Sequence, residues 1–267
     1  SMILEKITGS DAVFDTLPDR NEKITYDLLR LIKDGKPVIL MSDRKTCIAA
    51  QTNADLPVWI FLKSMPDDRL SAELCSIISY AVAANPALHV QSDERFIKAV
   101  LDPVGKPYRL HMKMNAYACR KPTAVRLSGN IIPASEKYRS DIKSLLCEMV
   151  HDSVGEDPDE AGANGFADYA ISSGNVFLWE DGGKIASMVN VASRTSDTAR
   201  LNTVVTARDM RGRGYVTMLM SELCGKLLSE GLTPMLYADD MNPSSNRAYK
   251  KAGFEFTGTV CEFAFEG

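Results

Sequence analysis

Two segments near the C-terminal end combine residue types that bind phosphate and transfer protons. The first, Arg211 to Val216, reads R-G-R-G-Y-V and lies between a strand-like run and a helical apolar pattern. Unpaired backbone N–H groups at a helix start, together with the helix dipole, attract an anion. Gly212 and Gly214 let the backbone approach that anion, and Arg211 and Arg213 supply charges that pair with phosphate oxygens. The segment is a candidate phosphate site, although R-G-x-G also occurs in loops that bind nothing.

Two common nucleotide-binding motifs are absent from this segment. No third glycine completes G-x-G-x-x-G, and no G-K-[ST] follows as in a P-loop. The helix after it is firmly indicated, because apolar residues recur with helical spacing from Val216 to Leu227 and Gly231 follows as a stop signal.

The second segment, Asn242 to Phe254, reads N-P-S-S-N-R-A-Y-K-K-A-G-F. It follows a predicted strand over 233–238, and its serines and Gly253 predict the start and end of a short helix. Tyr249 is its candidate proton donor, because a phenol with a pKa of about 10 is protonated at pH 7. The alternative is a tyrosine whose ring packs the helix and whose hydroxyl only forms a hydrogen bond.

At these residues the sequence resembles the GNAT superfamily of acyl-CoA dependent N-acetyltransferases. In that family an R/Q-x-x-G-x-G/A turn binds the pyrophosphate of the cofactor, and an N-P-x-S-N-x-x-Y-x-K-x-G-F segment packs against its pantetheine arm. Arg211 and Gly214 match the first motif, and Val216 departs from it, since the family has glycine or alanine there. The second motif is matched by Asn242, Pro243, Ser245, Asn246, Tyr249, Lys251, Gly253 and Phe254.

The resemblance implies an acetyl-CoA dependent N-acetyltransferase that moves an acetyl group to a primary amine by direct attack. It implies Tyr249 as the general acid for the CoA thiolate, and the backbone N–H of Val205 as the donor to the oxyanion at a splay between two strands. It implies acetyl-CoA as the acyl donor. No metal is expected, because the cysteines and histidines are scattered along the sequence. The cofactor-binding residues it implies are Val204, Val205, Thr206, Arg211, Gly212, Arg213, Gly214, Tyr215, Val216, Asn242, Ser245, Asn246 and Tyr249.

The general base stays open at this stage. Glu180, Asp181 and Asp168 lie in segments expected to face the acceptor, and a water relay would need none of them. The acidic stretch from Val154 to Asn164 is either a solvated connector or a mobile loop or helix entry over a site.

The fold class expected is α+β, a GNAT-like mixed, mostly antiparallel central sheet flanked by helices. The resemblance covers 123–267, the predicted acetyltransferase domain, and 1–122 form a smaller α/β domain that is a candidate degenerate copy of the same fold. Predicted helices span 21–34, 67–84, 93–101, 135–151 and 216–230. Predicted strands span 37–41, 46–50, 58–62, 88–90, 108–117, 124–132, 175–180, 184–192, 199–206, 233–238 and 260–265.

Composition excludes several classes of protein. The 267 residues carry 31 Lys and Arg against 35 Asp and Glu, with no basic cluster, which argues against nucleic acid as a partner. No apolar run is long enough for a membrane span, and no signal peptide is visible, so a cytoplasmic location is expected. Six scattered cysteines predict free thiols, and His89, His111 and His151 stand in no metal motif.

Two alternatives to the enzyme remain: a non-catalytic acyl-CoA binding or sensing module, and an interaction scaffold without CoA affinity. The expected partners are acetyl-CoA and an unidentified amine acceptor. A homodimer is a further candidate, formed by edge pairing of the strand Val260 to Phe265.

Overall fold

The computed structural model describes residues 2–125 and 128–267, which form two compact units. The first unit comprises Ser1–Tyr117, Tyr237–Pro243 and Phe256–Gly267, and the second comprises Ala118–Leu236 and Ser244–Glu255. Two C-terminal segments therefore group with the N-terminal part of the chain. The domain division predicted after residue 122 stays a prediction.

Twelve strands and nine α-helices are present in the described residues. The strands are β1 (Glu5–Lys6), β2 (Ile39–Ser42), β3 (Cys47–Gln51), β4 (Val58–Leu62), β5 (His89–Ser92), β6 (Tyr108–Cys119), β7 (Asn130–Pro133), β8 (Val176–Asp181), β9 (Lys184–Arg194), β10 (Thr198–Thr206), β11 (Thr233–Asp239) and β12 (Phe254–Phe265). The helices are α1 (Val13–Thr16), α2 (Arg20–Thr25), α3 (Asp27–Lys33), α4 (Asp68–Ala84), α5 (Glu94–Leu101), α6 (Arg139–Val154), α7 (Glu160–Ser173), α8 (Tyr215–Ser229) and α9 (Pro243–Ala252).

The sheet of the first unit has the strand order β1-β2-β3-β4-β5-β12-β6. The β4–β5 pair is parallel, and β1 to β4 and β5–β12 pair antiparallel. Alternate residues of β4 belong to two different cores, with Val58 and Ile60 in the core beside α4 and α5, and Trp59 and Phe61 in the core beside α1 and α3. Because both faces of this sheet are covered, its central strands are continuously apolar.

The second unit has the order β11-β10-β9-β8-β7, in which only the β10–β11 pair is parallel. Apolar side chains of α6 and α7, including Ile142 and Ala167, pack with Leu178, Met188 and Val205 of the sheet. The mixed, mostly antiparallel sheet flanked by helices is thus confirmed.

The two halves of the sequence, β1 to β6 and β7 to β12, follow the same order of elements. In each half a first strand and helices come before three antiparallel strands. A helix, a strand parallel to the one before that helix, a short helix and a last strand follow. The parallel pairs β4–β5 and β10–β11 occupy the same step in this order. This correspondence supports the interpretation of the first unit as a second copy of the fold.

Several predicted elements were wrong or incomplete. The helix expected over 21–34 is broken into α2 and α3 at Tyr26, whose φ of −108° and ψ of 34° are not helical. The strand expected over 124–132 begins only at Asn130, and its residues 126 and 127 lie outside the described part of the chain. Helix α7 was not predicted; Asp159 caps its start, accepting a hydrogen bond from the Gly162 N–H at 2.7 Å.

Strand β12 also corrects the expected dimer edge. It lies between β5 and β6, so the strand Val260 to Phe265 is internal and its backbone is already paired. Edge pairing of two protomers through this strand is therefore excluded, and the homodimer itself stays a prediction.

The six cysteines are free thiols, and four of them are buried. Among the described residues, no helix is both long enough and apolar enough to cross a bilayer.

Candidate functional site

Strand β10 is distorted close to its C-terminal end. Its register with β9 shifts between Asn202 and Val205, and Thr203 has a φ of 51°, which β-branched residues rarely adopt. The parallel ladder to β11 ends at Leu201, opposite Leu236. Residues 202–206 therefore extend past the ladder, as expected for strands that separate near Val205.

Side-chain hydrogen bonds hold this bulge. The Asn190 Nδ2 donates to Asn202 Oδ1 at 2.9 Å, and the Thr203 hydroxyl donates to the same oxygen at 3.1 Å. On the other side, the Tyr169 hydroxyl donates to Asn190 Oδ1 at 2.7 Å. This chain of polar groups from α7 through β9 fixes a backbone conformation that would otherwise be strained. Thr203 begins the stretch where the resemblance implied a splay, and Tyr169, Asn190 and Asn202 were not identified from the sequence.

The residues predicted around the oxyanion lie on this stretch of β10. Val205 is 6% exposed and packs in the core of the second unit, so its side chain anchors the strand while its backbone stays in the sheet plane. Val204 and Thr206 are half-buried neighbours, and the Thr206 and Ser187 hydroxyls are hydrogen-bonded at 2.9 Å.

The glycine turn after β10 has the geometry of an anion site. Gly212 and Gly214 have φ values of 80° and 79°, and a Cβ added at either would meet no atom within 4 Å. Gly214 is the N-cap of α8, no side chain caps this helix, and its first turn carries no acidic residue. The first backbone N–H groups of α8 are therefore available to a ligand. Val216, where the family has glycine or alanine, is the second residue of α8 and is half-buried.

The arginines beside this turn are ordered by α6. Asp152 lies 2.9 Å from both Arg208 Nη2 and Arg211 Nη2, and the two guanidinium groups lower the pKa of this carboxyl, that of Arg211 contributing most. The Arg211 Nε also donates to the Thr206 carbonyl at 3.2 Å, and the Arg213 Nη2 donates to the Asp209 carbonyl at 3.4 Å. Arg211 therefore lies beside the turn, and its guanidinium forms a solvent-exposed ion pair with Asp152.

The start of α8 is fixed to β8 through Tyr215. Its hydroxyl donates to Asp181 Oδ2 at 2.5 Å, and the Ser128 hydroxyl donates to the same oxygen at 2.8 Å. These two bonds, with the charge of Arg213, lower the pKa of Asp181. Tyr215 is 7% exposed. Its packed ring and its hydroxyl thus position the glycine turn.

The second predicted segment forms α9. Asn246 and Tyr249 are buried on one side of this helix, at 8% and 9% exposure, and the Tyr249 ring lies 6.0 Å from that of Phe254. Burial raises the pKa of Tyr249 to about 12. Ser245 is half-buried in the first turn of α9, and the Asn242 N–H, in the preceding turn, donates to the Asp239 carbonyl at 3.0 Å.

Gly253 ends α9 where no larger residue fits. Its φ is 108°, and an added Cβ would lie 2.4 Å from the Lys121 carbonyl oxygen. The Thr123 N–H donates to the Ala252 carbonyl at 2.9 Å, so the chain near residue 122 passes directly over this helix end. The helix stop predicted at Gly253 is confirmed.

The two segments start at the same edge of the sheet. β10 and β11 are adjacent and parallel, so their C-terminal ends point the same way. The glycine turn follows β10 and α9 follows β11, as ligand sites in α/β sheets follow the carboxyl ends of adjacent strands.

This part of the chain also matches a known family. Residues 142–254 match the family model described as the acetyltransferase (GNAT) family, a range that includes the bulge, the glycine turn and α9. The chain contains a GNAT acetyltransferase domain. None of the curated proteins matches the chain significantly in sequence.

Solved structures resemble the whole chain in fold. An acetyltransferase of the GNAT family from Colwellia psychrerythraea is 15% identical, with a TM-score of 0.58 over 98% of this chain and 99% of that one. A GCN5-related N-acetyltransferase from Sphaerobacter thermophilus is 14% identical, with a TM-score of 0.63 over 98% and 94%. One from Kribbella flavida is 12% identical, with a TM-score of 0.59 over 92% and 95%. The likeness in fold to these structures therefore covers both units.

The three candidate bases have different surroundings in this GNAT domain. Asp168 forms an ion pair with Arg139 at 2.8 Å and is 68% exposed, and Asp181 accepts the two hydroxyl bonds described above. Glu180 accepts one longer bond, from the Tyr138 hydroxyl, at 3.3 Å. Of the three carboxylates, Glu180 therefore makes the longest of these contacts, and its partner there is a hydroxyl rather than a cation.

The first unit has a different turn at the corresponding step. Between β4 and α4 the chain reads K-S-M-P-D, with no glycine. Asp67 caps α4 by accepting a hydrogen bond from the Leu70 N–H at 2.8 Å, and Asp68 follows in the first turn. A carboxylate already occupies the position that an anion would take, so this helix start is closed to phosphate.

Asp152 provides a test of the electrostatics of the glycine turn. We expect Asp152→Asn to tighten acetyl-CoA binding by at most about fivefold, because the Asp152 carboxylate competes with the cofactor for Arg211 and an exposed ion pair is weak. Calorimetric titration measures the change, and Asp141→Asn, an exposed change on the same helix, is the matched control. The gain should shrink at high salt. Weaker binding in Asp152→Asn would show that Asp152 instead holds Arg211 in place for the cofactor.

Proposed function

We propose that the protein is an acetyl-CoA dependent N-acetyltransferase that acetylates a primary amine by direct attack. The observation that carries the proposal is the open start of α8, a helix without a cap or first-turn acid behind two glycines of positive φ, at the end of the bulged strand of a GNAT domain. The GNAT family uses an acyl-CoA donor, and the cofactor's pyrophosphate fits this anion site.

The cofactor is assigned to the residues that follow β10 and β11. The pyrophosphate would contact the backbone N–H groups of Arg211 to Val216, with Arg211 exchanging its exposed partner Asp152 for phosphate oxygens. The pantetheine arm would pair with backbone groups of Val204 and Thr206, which extend past the ladder to β11. Asn242, Ser245 and Asn246 would hold the turn and the start of α9 beside the arm.

The reaction needs stabilisation of a transient oxyanion. As the amine nitrogen attacks the thioester carbon, a C–N bond forms and the carbonyl oxygen gains negative charge. The donor would be a backbone N–H of residues 203–206, for which Val205 is the candidate from the sequence. Val205 pairs with Met188 of β9, and the Ala207 N–H donates to the Ala186 carbonyl. The alternation of the ladder therefore turns the Val205 N–H toward β9 and the Thr206 N–H toward the open side, which makes Thr206 the better candidate. A donor fixed by the fold costs no reorganisation during the reaction, and removing one typically costs about 100- to 1,000-fold in turnover.

The C–S bond then breaks, and the CoA thiolate takes a proton. Tyr249 is the proposed general acid because its buried phenol, with a pKa of about 12, is neutral at every physiological pH. Burial disfavours the charged CoA thiolate just as it disfavours the charged phenolate. It therefore raises the pKa of the CoA thiol as well as that of Tyr249. The proton lost by the amine goes to a base, for which the contacts favour Glu180 or a water relay over Asp168 and Asp181.

The high pKa of Tyr249 predicts the alkaline side of the pH profile. A phenol is protonated below its pKa, so between about pH 8 and pH 10 turnover should not fall through loss of its proton. The initial rate with saturating substrates checks this. An alkaline fall near pH 9 to 10 that disappears in Tyr249→Phe would contradict the burial of the phenol.

The reaction itself is tested by incubating the protein with acetyl-CoA and a panel of polyamines, amino sugars, amino acids and peptides. CoA release is followed with a thiol reagent, and each amine is checked by mass for one added acetyl group. The proposal predicts CoA release matched by acetylated amine for at least one acceptor class. Tight acetyl-CoA binding without any acetylated amine would favour the non-catalytic module, and absence of binding would favour a scaffold.

A further inference from the structure

We propose that the first unit binds a divalent transition-metal ion, represented by Zn²⁺, through His89, His111 and Glu262. Each of the three residues offers one ligand atom, and these atoms lie within 4.8 Å of one another. They come from β5, β6 and β12, which are adjacent in the order β5-β12-β6. This site is separate from the glycine turn and α9 and does not depend on the proposed function.

The register of the sheet places two of the ligands on one face. Val90 of β5 pairs with Phe263 of β12, and both side chains lie in the core beside α4 and α5. His89 and Glu262 are the neighbours of these residues, so they point to the opposite face, where the alternation of a strand puts them together. The His89 Nδ1 and Glu262 Oε2 are in direct contact, and the ring of His111 lies 5.0 Å from that of His89, between centroids.

The donor set suits zinc. Two imidazoles and one carboxylate are a common three-residue set for Zn²⁺ that leaves a fourth position for water. Zn–N and Zn–O distances of about 2.0–2.2 Å place tetrahedral ligands about 3.3 Å apart. The three atoms must therefore approach by at most about 1.5 Å from their widest separation, which side-chain rotation supplies. Mg²⁺ is disfavoured, since it prefers oxygen ligands.

The accessibility of the cluster fits an exchangeable ion. The side chains of His89 and Glu262 are 31% and 15% exposed, and His111 is exposed. The Glu262 carboxylate supplies a negative charge that offsets part of the charge of the ion. The Arg109 guanidinium lies beside this cluster, with its Nη1 3.4 Å from His111 Nδ1, so its positive charge weakens ion binding.

Sequence spacing gave no indication of this site. His89 and Glu262 are 173 residues apart, and only the antiparallel pairing of β5 with β12 brings them together. The sequence shows no metal motif for these residues, because such motifs are local. For these three residues the proposal replaces the prediction that the protein binds no metal.

The test is a calorimetric titration of Zn²⁺ alone into the full chain after treatment with a chelator. The background carries Cys75→Ser and Cys147→Ser, which removes the two cysteines that are not buried and would compete for zinc. The proposal predicts one ion bound with micromolar affinity, and at least about tenfold weaker binding in His111→Ala and in Glu262→Gln. His151→Ala is the matched control, because His151 has a single carboxylate partner, Asp157, at 3.1 Å.

A second measurement reports the geometry. Co²⁺ bound by His89, His111, Glu262 and water should give the intense visible absorption of a four-coordinate site, lost in His111→Ala and kept in His151→Ala. Thermal unfolding of each variant without metal shows whether it is folded. Unchanged zinc affinity in folded His111→Ala and Glu262→Gln, or no bound zinc in the background protein, would overturn the proposal and leave an ordinary histidine–glutamate hydrogen bond.

Discussion

Gly214→Glu should weaken acetyl-CoA binding at least about 100-fold, because it puts a carboxylate where the pyrophosphate is proposed to bind. At about 4 Å, two charges near a protein surface interact by about 4 kcal/mol, and here the interaction is repulsive. A Cβ at Gly214 meets no protein atom within 4 Å, so the glutamate enters the open space before α8. The loss should be measured by calorimetric titration of acetyl-CoA.

Two variants separate charge from backbone strain in this experiment. Gly225→Glu introduces the same residue on α8, at an exposed position without a positive φ and also with no neighbour within 4 Å. It should bind acetyl-CoA as the unmodified protein does. Gly214→Ala keeps the strain of a φ of 79° but adds no charge, and should weaken binding less than Gly214→Glu. Equal losses in Gly214→Ala and Gly214→Glu would contradict a pyrophosphate at this turn.

Tyr249→Phe should lower kcat about 100- to 1,000-fold and leave the KM for acetyl-CoA nearly unchanged. Proton donation by a placed side chain contributes at this scale. Phenylalanine keeps the ring that packs 6.0 Å from Phe254, so α9 should stay in place. Steady-state kinetics with the best acceptor from the amine panel gives both constants.

Tyr80→Phe is the control for removal of a tyrosine hydroxyl. Tyr80 lies on α4 of the first unit and is 80% exposed. The kcat of Tyr80→Phe should therefore match that of the unmodified protein. Thermal unfolding of both variants confirms that neither loses structure. If Tyr249→Phe turns over at an unchanged rate, Tyr249 serves only as a packing residue and CoA leaves without its proton.

The sequence predicted those parts of the fold and site that local patterns determine. Gly212 and Gly214 stand where the backbone needs a positive φ, and the helix after them shows in the apolar spacing from Val216 to Leu227. Gly253 likewise marks a position where a Cβ would collide with the Lys121 carbonyl. Each of these signals lies within a few residues of the structure that it predicts.

The remaining features depend on contacts between distant segments. Asp152 lies 59 residues from Arg211, and Tyr169 reaches the bulge through Asn190 and Asn202. The internal position of β12 likewise depends on pairing across the sheet, since a single strand carries no sign of its neighbours. Helix α7 escaped prediction because its glycines weaken the helical pattern that Ala163, Ala167 and Ala170 form.

The binding of acetyl-CoA to the purified protein tests the central claim most directly. The acetyl transfer, the pyrophosphate site at Gly214 and the acid role of Tyr249 all require it. Calorimetric titration should show one site of micromolar affinity, with free CoA binding comparably because it carries the same pyrophosphate. Absence of measurable binding for both molecules, in folded protein, would contradict the assignment of the α8 start as a cofactor site and, with it, the proposed acetyltransferase activity.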